Sequence, residues 1–358
     1  MKPLLKGAAF FVKVIHKVRP TIHKPNAGVV WMRVCGAGPF TCCLLERQAT
    51  GGGGVGGGAG GPREGTWAIC HFQRCCIFPA MCGRYVSVTK VKTLEKRFNV
   101  QAPTPELFTP NTNVSHGNTA PVITNEKPGE LQFFQFGFTP SWAKKQVYMV
   151  NARSEGDHNK ANDPHYSGAM GIVNKPMFRS SIRKRRCLVP ADAFIEGPEK
   201  ERLSKPYVMY RSDGVRPFAI AGIWDEWVQP DTGEIVSSFA IITAPSNSAT
   251  AAIGHHRSPV ILDRDDERFW IDSSLPLAEV TSMLKPFDGR KLNAYPIAAD
   301  IKNPRTNGVS LLEPIGQRIV PEYTYELYTE IERFGMGESR ARKRSKDEGD
   351  SGRQGILF

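Results

Sequence analysis

The eleven-residue stretch GGGGVGGGAGG, residues 51–61, constrains the fold of this chain more than any other feature. Nine of its residues are glycine, so it has almost no side chains to bury and behaves as a flexible coil. A hydrophobic core therefore has to form on one side of this stretch. Only the C-terminal side of the 358-residue chain is long enough to form a large domain.

A second break in composition falls near residue 80. Residues 1–80 contain ten Lys and Arg against two Glu, and they hold six of the eight cysteines. The later cysteines are Cys82 and Cys187. Two cysteines do not make a disulfide scaffold, so we expect a reducing, cytoplasmic location. We interpret residues 1–80 as an extension that is disordered or not translated, with the true start at Met81.

Charge and hydropathy narrow the class of partner. The net charge of +12 favours anionic partners such as nucleic acid. No apolar run approaches the roughly 18–20 residues that a membrane span needs, and Lys13 and Lys17 interrupt the faintly signal-like N-terminus. The segment CHFQRCC, residues 70–76, lacks the second ligand pair of a zinc site. We therefore predict a monomer with no membrane association, no metal and no cofactor.

Runs of β-forming residues bounded by turn residues dominate residues 81–335, which we interpret as one domain. Short amphipathic helices interrupt these runs irregularly, and a last helix is predicted within residues 322–335, which favours an α+β fold over a βαβ repeat. Residues 336–358 are charged and rich in Gly and Ser, so we expect a disordered tail. Three consecutive runs predict an antiparallel meander: PYVMYRS (206–212), PFAIAGIWDEWV (217–228) and IVSSFAIITA (235–244).

Four short stretches place polar residues in apolar surroundings. Each has an ordinary explanation when taken alone: a solvated Glu at a strand end, a surface His, or an Asn that caps a helical turn. The stretches are MCGRY (81–85), VNARSE (150–155), RCLVPADAFIEG (186–197) and IGHHRSPVIL (253–262).

In this order, the four stretches resemble the SOS response associated peptidase (SRAP) family of abasic-site processing proteins. Further matches are FTPNTNVSHGNTAPVI (108–123) and FGFTPSW (136–142), and the resemblance runs from Met81 to about residue 322. It implies an α+β fold built on a curled, largely antiparallel, barrel-like sheet with flanking helices. It also implies covalent capture of abasic sites in single-stranded DNA, as part of the response to DNA damage. The catalytic residues that the resemblance implies are Cys82, Asn151, Glu196 and His255.

The chemistry of capture depends on Cys82 being the first residue of the mature chain. An α-amine adds to the open-chain aldehyde of an abasic site and loses water to give a Schiff base. The neighbouring thiol then adds to the imine and closes a thiazolidine ring. An internal cysteine has no free α-amine and cannot form this product. Met81 therefore has to be removed.

Three side chains are assigned to proton transfer and orientation. We assign Glu196 to proton handling at the amine and the departing hydroxyl, and His255 to the ring oxygen of the sugar, since a carboxylate and an imidazole suit acid–base work near neutral pH. Asn151 would orient the amine and the sugar by hydrogen bonds. Three places depart from the family pattern. An aromatic pair is common around the glutamate, where this chain has Phe194-Ile195-Glu196-Gly197. An acidic residue is common at the position of His256, and a larger residue is common at the position of Ser258.

Arginine and tryptophan residues near these motifs are candidates for binding DNA. Arg84 and Arg153 would hold phosphates, because a guanidinium binds phosphate with two hydrogen bonds; intramolecular salt bridges are the alternative. Trp142 would stack on a base beside the lesion, although a place in the core would also explain it.

Two other functions remain open from the sequence. In the first, the protein is a thiol peptidase that removes its own Met81, with Cys82 as nucleophile and a nearby base. In the second, it is a non-catalytic reader of modified or single-stranded DNA, which would not need Cys82. The sequence also leaves open whether the crosslink is later reversed.

The last residues, QGILF, resemble the peptide with which bacterial replication and repair proteins bind the sliding clamp. Gln354, Leu357 and Phe358 would make the contacts, at the end of a disordered tether that raises the local concentration. A frayed terminus with an accidental match is the alternative.

Overall fold

The computed structural model describes residues 31–35, 42–46, 83–322 and 327–334. The chain divides into two units, residues 1–74 and residues 75–358. In the first unit, β1 (Trp31–Cys35) pairs with β2 (Cys42–Glu46) as an antiparallel hairpin. Cys82 and the predicted clamp-binding residues Gln354, Leu357 and Phe358 lie outside the described residues.

The second unit combines short strands, short α-helices and single turns of 3₁₀-helix. The strands are β3 (Tyr85–Ser87), β4 (Asn111–Val114), β5 (Thr119–Thr124), β6 (Gln132–Phe136), β7 (Asn151–Arg153), β8 (Arg186–Ala191), β9 (Ala193–Glu196), β10 (Tyr207–Arg211), β11 (Phe218–Val228), β12 (Ile235–Pro245), β13 (Arg257–Pro259), β14 (Ile261–Leu262) and β15 (Leu292–Pro296). The α-helices are α1 (Val91–Phe98), α2 (Ser181–Lys184), α3 (Ser248–Ala252), α4 (Arg264–Trp270), α5 (Leu277–Ser282) and α6 (Leu327–Phe334). The 3₁₀-helices are Pro105–Leu107, Gly171–Val173, Arg202–Ser204, Gly289–Lys291, Ala299–Lys302 and Val309–Leu312.

A closed ring of five strands forms the centre of this unit. β12 pairs with β6, β6 with β5, β5 with β8, β8 with β11, and β11 pairs back with β12. All of these pairings are antiparallel except that of β12 with β6. Closure removes the unpaired sheet edges that would otherwise need protection. The predicted α+β fold with a barrel-like, largely antiparallel sheet is confirmed.

Alternate residues of each strand point into the ring. The side chains that meet there are apolar. Phe136 of β6 stacks on Phe239 of β12 with 5.2 Å between ring centroids, and the Tyr85 ring meets Phe136 edge-on at 5.4 Å. These three side chains are fully buried. β11 and β12 run for eleven residues each, so β12 can pair with other strands beyond the ring. It binds β7 along one stretch and β13 at its C-terminal end.

A second, five-stranded sheet has the order β15-β10-β9-β3-β4, with antiparallel pairings throughout. The predicted meander is therefore only half correct. β11 and β12 pair as expected, but β10 lies between β9 and β15, in the other sheet. The apolar pattern of Tyr207–Arg211 identifies a strand, but the pattern carries no information about which strand it pairs with.

The predicted C-terminal helix is confirmed as α6. Its Leu327 and Ile331, one turn apart, are fully buried in a cluster with Val208 and Tyr295 of the second sheet. Within the described ranges, no helix is both long enough and apolar enough to cross a membrane.

Candidate active site

Glu196 and His255 come together at one end of the second sheet. Glu196 is the last residue of β9, paired with Tyr207 of β10. His255 lies in the short connection between α3 and β13. Its Nε2 is 3.3 Å from Oε2 of Glu196, and only 4% and 6% of the two side chains are exposed. A carboxylate and an imidazole that contact each other while shielded from water are suited to proton transfer.

Backbone contacts fix the orientation of the His255 ring. Nδ1 lies 2.8 Å from the carbonyl oxygen of Gly197, which can only accept, so Nδ1 carries the proton and donates it. The backbone N–H of His255 donates to the carbonyl of Thr250 at 3.0 Å. The preceding Gly254 has a φ of +74°, a left-handed conformation that residues with side chains rarely adopt. Nε2 therefore faces the Glu196 carboxylate.

The chain leading to Cys82 runs along the strand that carries Glu196. The N–H of Ile195 donates to the carbonyl of Arg84 at 2.9 Å, and Tyr85 pairs with Phe194. The described residues of this unit begin at Gly83, so the catalytic role of Cys82 stays a prediction. Cys187, the other cysteine after Met81, is buried, and burial raises the pKa of its thiol far above the usual range. Cys187 is thus a core residue and a poor nucleophile.

Asn151 is the first residue of β7, and it pairs in parallel with Ile241 of β12. Its side chain is buried, with 4% of the residue exposed. Neither its amide nitrogen nor its amide oxygen has a hydrogen-bond partner among the described residues. Leaving buried polar atoms unsatisfied costs about 1–3 kcal/mol each, so such a residue calls for a functional explanation. The arrangement suits an amide that completes its hydrogen bonds when a ligand arrives.

A buried ion pair that the sequence analysis did not single out lies beside these residues. Arg257, the first residue of β13, binds both carboxylate oxygens of Glu155, and both side chains are 0% exposed. Burial alone would raise the pKa of Glu155, but the hydrogen bonds and the charge of Arg257 lower it. Both residues stand inside motifs that the sequence analysis quoted. The signal was the presence of charged residues in apolar surroundings, but their pairing depends on the fold.

The two arginines predicted to bind phosphate are engaged with the protein. The guanidinium of Arg84 donates to Oδ1 of Asn113 at 2.5 Å and to the carbonyls of Ile301 and Lys302 at 3.0 and 3.1 Å. These acceptors are neutral, and burial lowers the pKa of Arg84. No carboxylate in the described part of the chain forms an ion pair with it. Its phosphate-binding role stays a prediction.

Arg153 has a different environment. Its Nη2 donates to the carbonyl of Asn159 at 2.7 Å and to Oδ1 of Asn162 at 2.8 Å, and it lies 3.5 Å from Oε1 of Glu155. Burial, followed by the nearby charge of Arg257, lowers its pKa. Its Nε has no partner among the described residues. Arg153 thus keeps a donor for a ligand, and its phosphate-binding role also stays a prediction.

Trp142 is 62% exposed, so it does not belong to the core. The loop that carries it is held in place, because the N–H of Ser141 donates to Asp225 at 3.0 Å and the indole N–H of Trp227 donates to the carbonyl of Ala143 at 2.7 Å. An exposed indole on a fixed loop is suited to stacking on a base. That role stays a prediction.

The described residues contain no cluster of three His, Cys, Asp or Glu that could hold a metal ion.

Comparison with known proteins supports the resemblance to the SOS response associated peptidase family. The family model described as SOS response associated peptidase (SRAP) matches residues 81–304. The abasic site processing protein YoqW of Bacillus subtilis (strain 168) is 28% identical over 239 residues, which cover 65% of this chain and 99% of that protein. The abasic site processing protein HMCES of Xenopus tropicalis is 25% identical over 234 residues, covering 56% of this chain and 64% of that protein.

A solved structure agrees with the fold. A protein of Bacteroides thetaiotaomicron is 30% identical and superposes with a TM-score of 0.56, covering 65% of this chain and 99% of that chain.

Proposed function

Because this chain belongs to the SOS response associated peptidase family, we propose that it captures abasic sites in single-stranded DNA as a covalent thiazolidine through an N-terminal Cys82. The crosslink would shield the lesion during the response to DNA damage. The observation that carries the proposal is the buried contact of Glu196 with His255, at the end of the strand along which the chain approaches Cys82. Relatives that are named abasic site processing proteins support the choice of substrate.

Chain connectivity restricts where the nucleophile can lie. Consecutive Cα atoms are about 3.8 Å apart, so the Cα of Cys82 is at most about 7.6 Å from that of Arg84. The carbonyl of Arg84 is hydrogen-bonded to Ile195, the residue before Glu196. This short span allows an α-amine at residue 82 to reach the Glu196 carboxylate.

The reaction consists of two additions and the loss of one water molecule. The neutral α-amine attacks the aldehyde carbon, and the resulting hydroxyl leaves as water after Glu196 supplies a proton. The thiol sulfur then adds to the imine carbon, and its proton ends on the ring nitrogen. The Nε2 of His255, on the ring edge opposite the Nδ1 contact with Gly197, would exchange a proton with the ring oxygen as the sugar opens. The unsatisfied amide of Asn151 would orient the amine and the sugar.

Substitution of Cys82 tests the proposal. Protein that begins at Cys82 should give a heat-stable complex with an abasic single-stranded oligonucleotide on a denaturing gel. Cys82→Ala should give none while still binding the oligonucleotide, because it loses the thiol and keeps the DNA contacts. Cys82→Ser should behave in the same way, because an oxazolidine is a poorer trap than a thiazolidine. Full crosslinking by Cys82→Ala would exclude this chemistry.

Self-removal of Met81 is a second activity that the site favours. The Met81–Cys82 peptide bond ends at a cysteine two residues before Arg84, whose carbonyl accepts from the residue preceding Glu196, and the matching family is described as a peptidase. If the protein cleaves this bond itself, a chain made by cell-free translation without aminopeptidase should still lose Met81, and His255→Ala should retain it. Retention of Met81 by both proteins would assign the removal to a separate enzyme.

The C-terminal peptide supplies the second proposed partner. We propose that Gln354, Leu357 and Phe358 bind the host sliding clamp and so bring the protein to stalled forks in the cytoplasm. A peptide of residues 343–358 should bind the clamp in calorimetry, and the Leu357→Ala/Phe358→Ala peptide should not. Equal binding by the two peptides, or no binding by either, would reject this partner.

A further inference from the structure

The ion pair of Glu155 with Arg257 lies in the interior of the protein, out of contact with solvent. Both side chains are 0% exposed, Arg257 binds both carboxylate oxygens, and the Oε2–Nη2 distance is 3.0 Å. Burying two charges costs desolvation energy that their attraction barely offsets, so such a pair is weak evidence for stability. The β7 and β13 segments that the pair joins suggest a role other than stabilising the fold.

The pair connects the segments that carry two candidate catalytic residues. Glu155 follows β7, which begins at Asn151, and Arg257 opens β13 two residues after His255. Both β7 and β13 pair with β12 near Thr243. β7 and β13 are separate in sequence, so their relative position depends on contacts across β12.

Thr243 is the point at which the connection is made. Its carbonyl accepts from the N–H of Ser154 at 2.9 Å and from Nη2 of Arg257 at 2.9 Å. The same Nη2 lies 3.0 Å from Oγ1 of Thr243. The guanidinium of Arg257 therefore reaches past β12 to Glu155 and is held along the way. The Glu155 carboxylate thereby links the segment after β7 to β13 through Arg257, beside Thr243 of β12.

Glu155 also holds the arginine that retains a donor for a ligand. Its Oε1 lies 3.5 Å from Nη2 of Arg153 and 3.5 Å from Nδ2 of Asn159, and its Oε2 accepts from Oγ of Ser154 at 2.9 Å. Each of these contacts, like those with Arg257, joins the carboxylate to a donor from the protein. Glu155 is thus placed to orient Arg153 without itself reaching a substrate.

We propose that Glu155 is a positioning residue: through Arg257 it fixes the His255 segment against the strand that carries Asn151, and it aims Arg153. The proposal rests on the proposed function, because it assigns a role within the same site. It distinguishes Glu155 from a residue that only stabilises the fold. Loss of the carboxylate should change the relative placement of the catalytic groups, and a displacement of about 1 Å in such groups can cost about 10²-fold in rate.

The chain contains a matched control pair. Arg97 of α1 binds both carboxylate oxygens of Glu267 of α4, at 3.0 and 2.6 Å, with side chains 10% and 9% exposed. Neither helix carries a candidate catalytic residue. Glu155→Gln and Glu267→Gln therefore make the same chemical change in two similar ion pairs, one at the site and one elsewhere.

Two readouts on protein that begins at Cys82 and runs to Phe358 test the proposal. Hydrogen exchange without DNA should show faster exchange of the His255 and Arg257 amides in Glu155→Gln, with no change in Glu267→Gln. At saturating abasic oligonucleotide, the crosslinking rate should fall about 10²-fold in Glu155→Gln and stay within twofold in Glu267→Gln, even if both lose similar thermal stability. Arg257→Lys, which keeps the charge and loses the two-point contact, should show the same pattern and serves if Glu155→Gln does not fold.

The outcomes separate this proposal from the proposed function. Unchanged exchange at His255 and Arg257, or equal rate losses in the two Gln variants, would overturn the positioning role. If the unmodified protein forms no crosslink, the proposed function fails, and the exchange experiment still decides whether Glu155 holds the His255 segment.

Discussion

Replacing Glu196 with glutamine tests the candidate catalytic pair most closely. The substitution preserves the size of the side chain and removes only its charge and its ability to exchange a proton. Loss of a positioned general acid–base typically slows a reaction by about 10²–10⁴-fold, equal to about 3–5 kcal/mol in activation free energy. The Glu196 side chain is 6% exposed and lies against His255 at 3.3 Å, so bulk water has little access to replace it. We therefore expect the loss to fall in the upper half of that range.

A single-turnover assay measures this loss. Protein that begins at Cys82 is mixed in excess with an abasic oligonucleotide, and the crosslinked fraction is followed on denaturing gels. Glu199→Gln is the matched control, because the Glu199 side chain is 62% exposed and lies 3.5 Å from Nδ1 of His256 instead of His255. The control should crosslink within twofold of the unmodified rate. A Glu196→Gln rate within twofold of the unmodified protein would remove Glu196 from the mechanism.

Two further predictions follow from the electrostatics of the site. Each phosphate contact on single-stranded DNA contributes roughly −0.7 to the slope of log affinity against log salt, so Arg84→Ala and Arg153→Ala should each make that slope shallower by about 0.7, and unchanged slopes would restrict both arginines to their contacts within the protein. Burial, followed by the neighbouring His255, lowers the pKa of His256, so the unfolded chain binds its proton first as the pH falls. Stability from the neutral His256 is therefore present above about pH 6.5 and is lost below it. His256→Asn should show a smaller drop in melting temperature between pH 7 and pH 5.5 than the unmodified protein, and an equal drop would contradict this assignment.

The sequence predicted the fold class because its signals are local. The apolar pattern of Phe218–Val228 and Ile235–Pro245 identifies two long strands that are joined by a short turn, and they pair as expected. Tyr207–Arg211 has an equally clear pattern, but its partners are β9 and β15. Partner choice depends on contacts distant in sequence, which a pattern of one strand does not contain.

In the candidate site, too, the sequence identified single residues, and the structure was needed to show which of them contact each other. Motif order identified Glu196 and His255, and the structure places them 3.3 Å apart. Trp142 could not be assigned from sequence because a tryptophan before a turn suits both the core and the surface, and its 62% exposure decides between them. Glu155 and Arg257 were visible only as charged residues in apolar motifs. Their pairing across Thr243 required the positions of three strands.

Intact mass combined with thiol alkylation tests the central claim most directly. Protein that begins at Cys82 contains two thiols, Cys82 and Cys187, so after denaturation the free protein should take up two alkyl groups. The complex with abasic single-stranded DNA should have the summed mass of protein and oligonucleotide less one water, and it should take up only one alkyl group, because the thiazolidine uses the Cys82 sulfur. A complex that takes up two groups would be a Schiff base with a free thiol. That result, or the absence of any covalent complex, would contradict capture through Cys82.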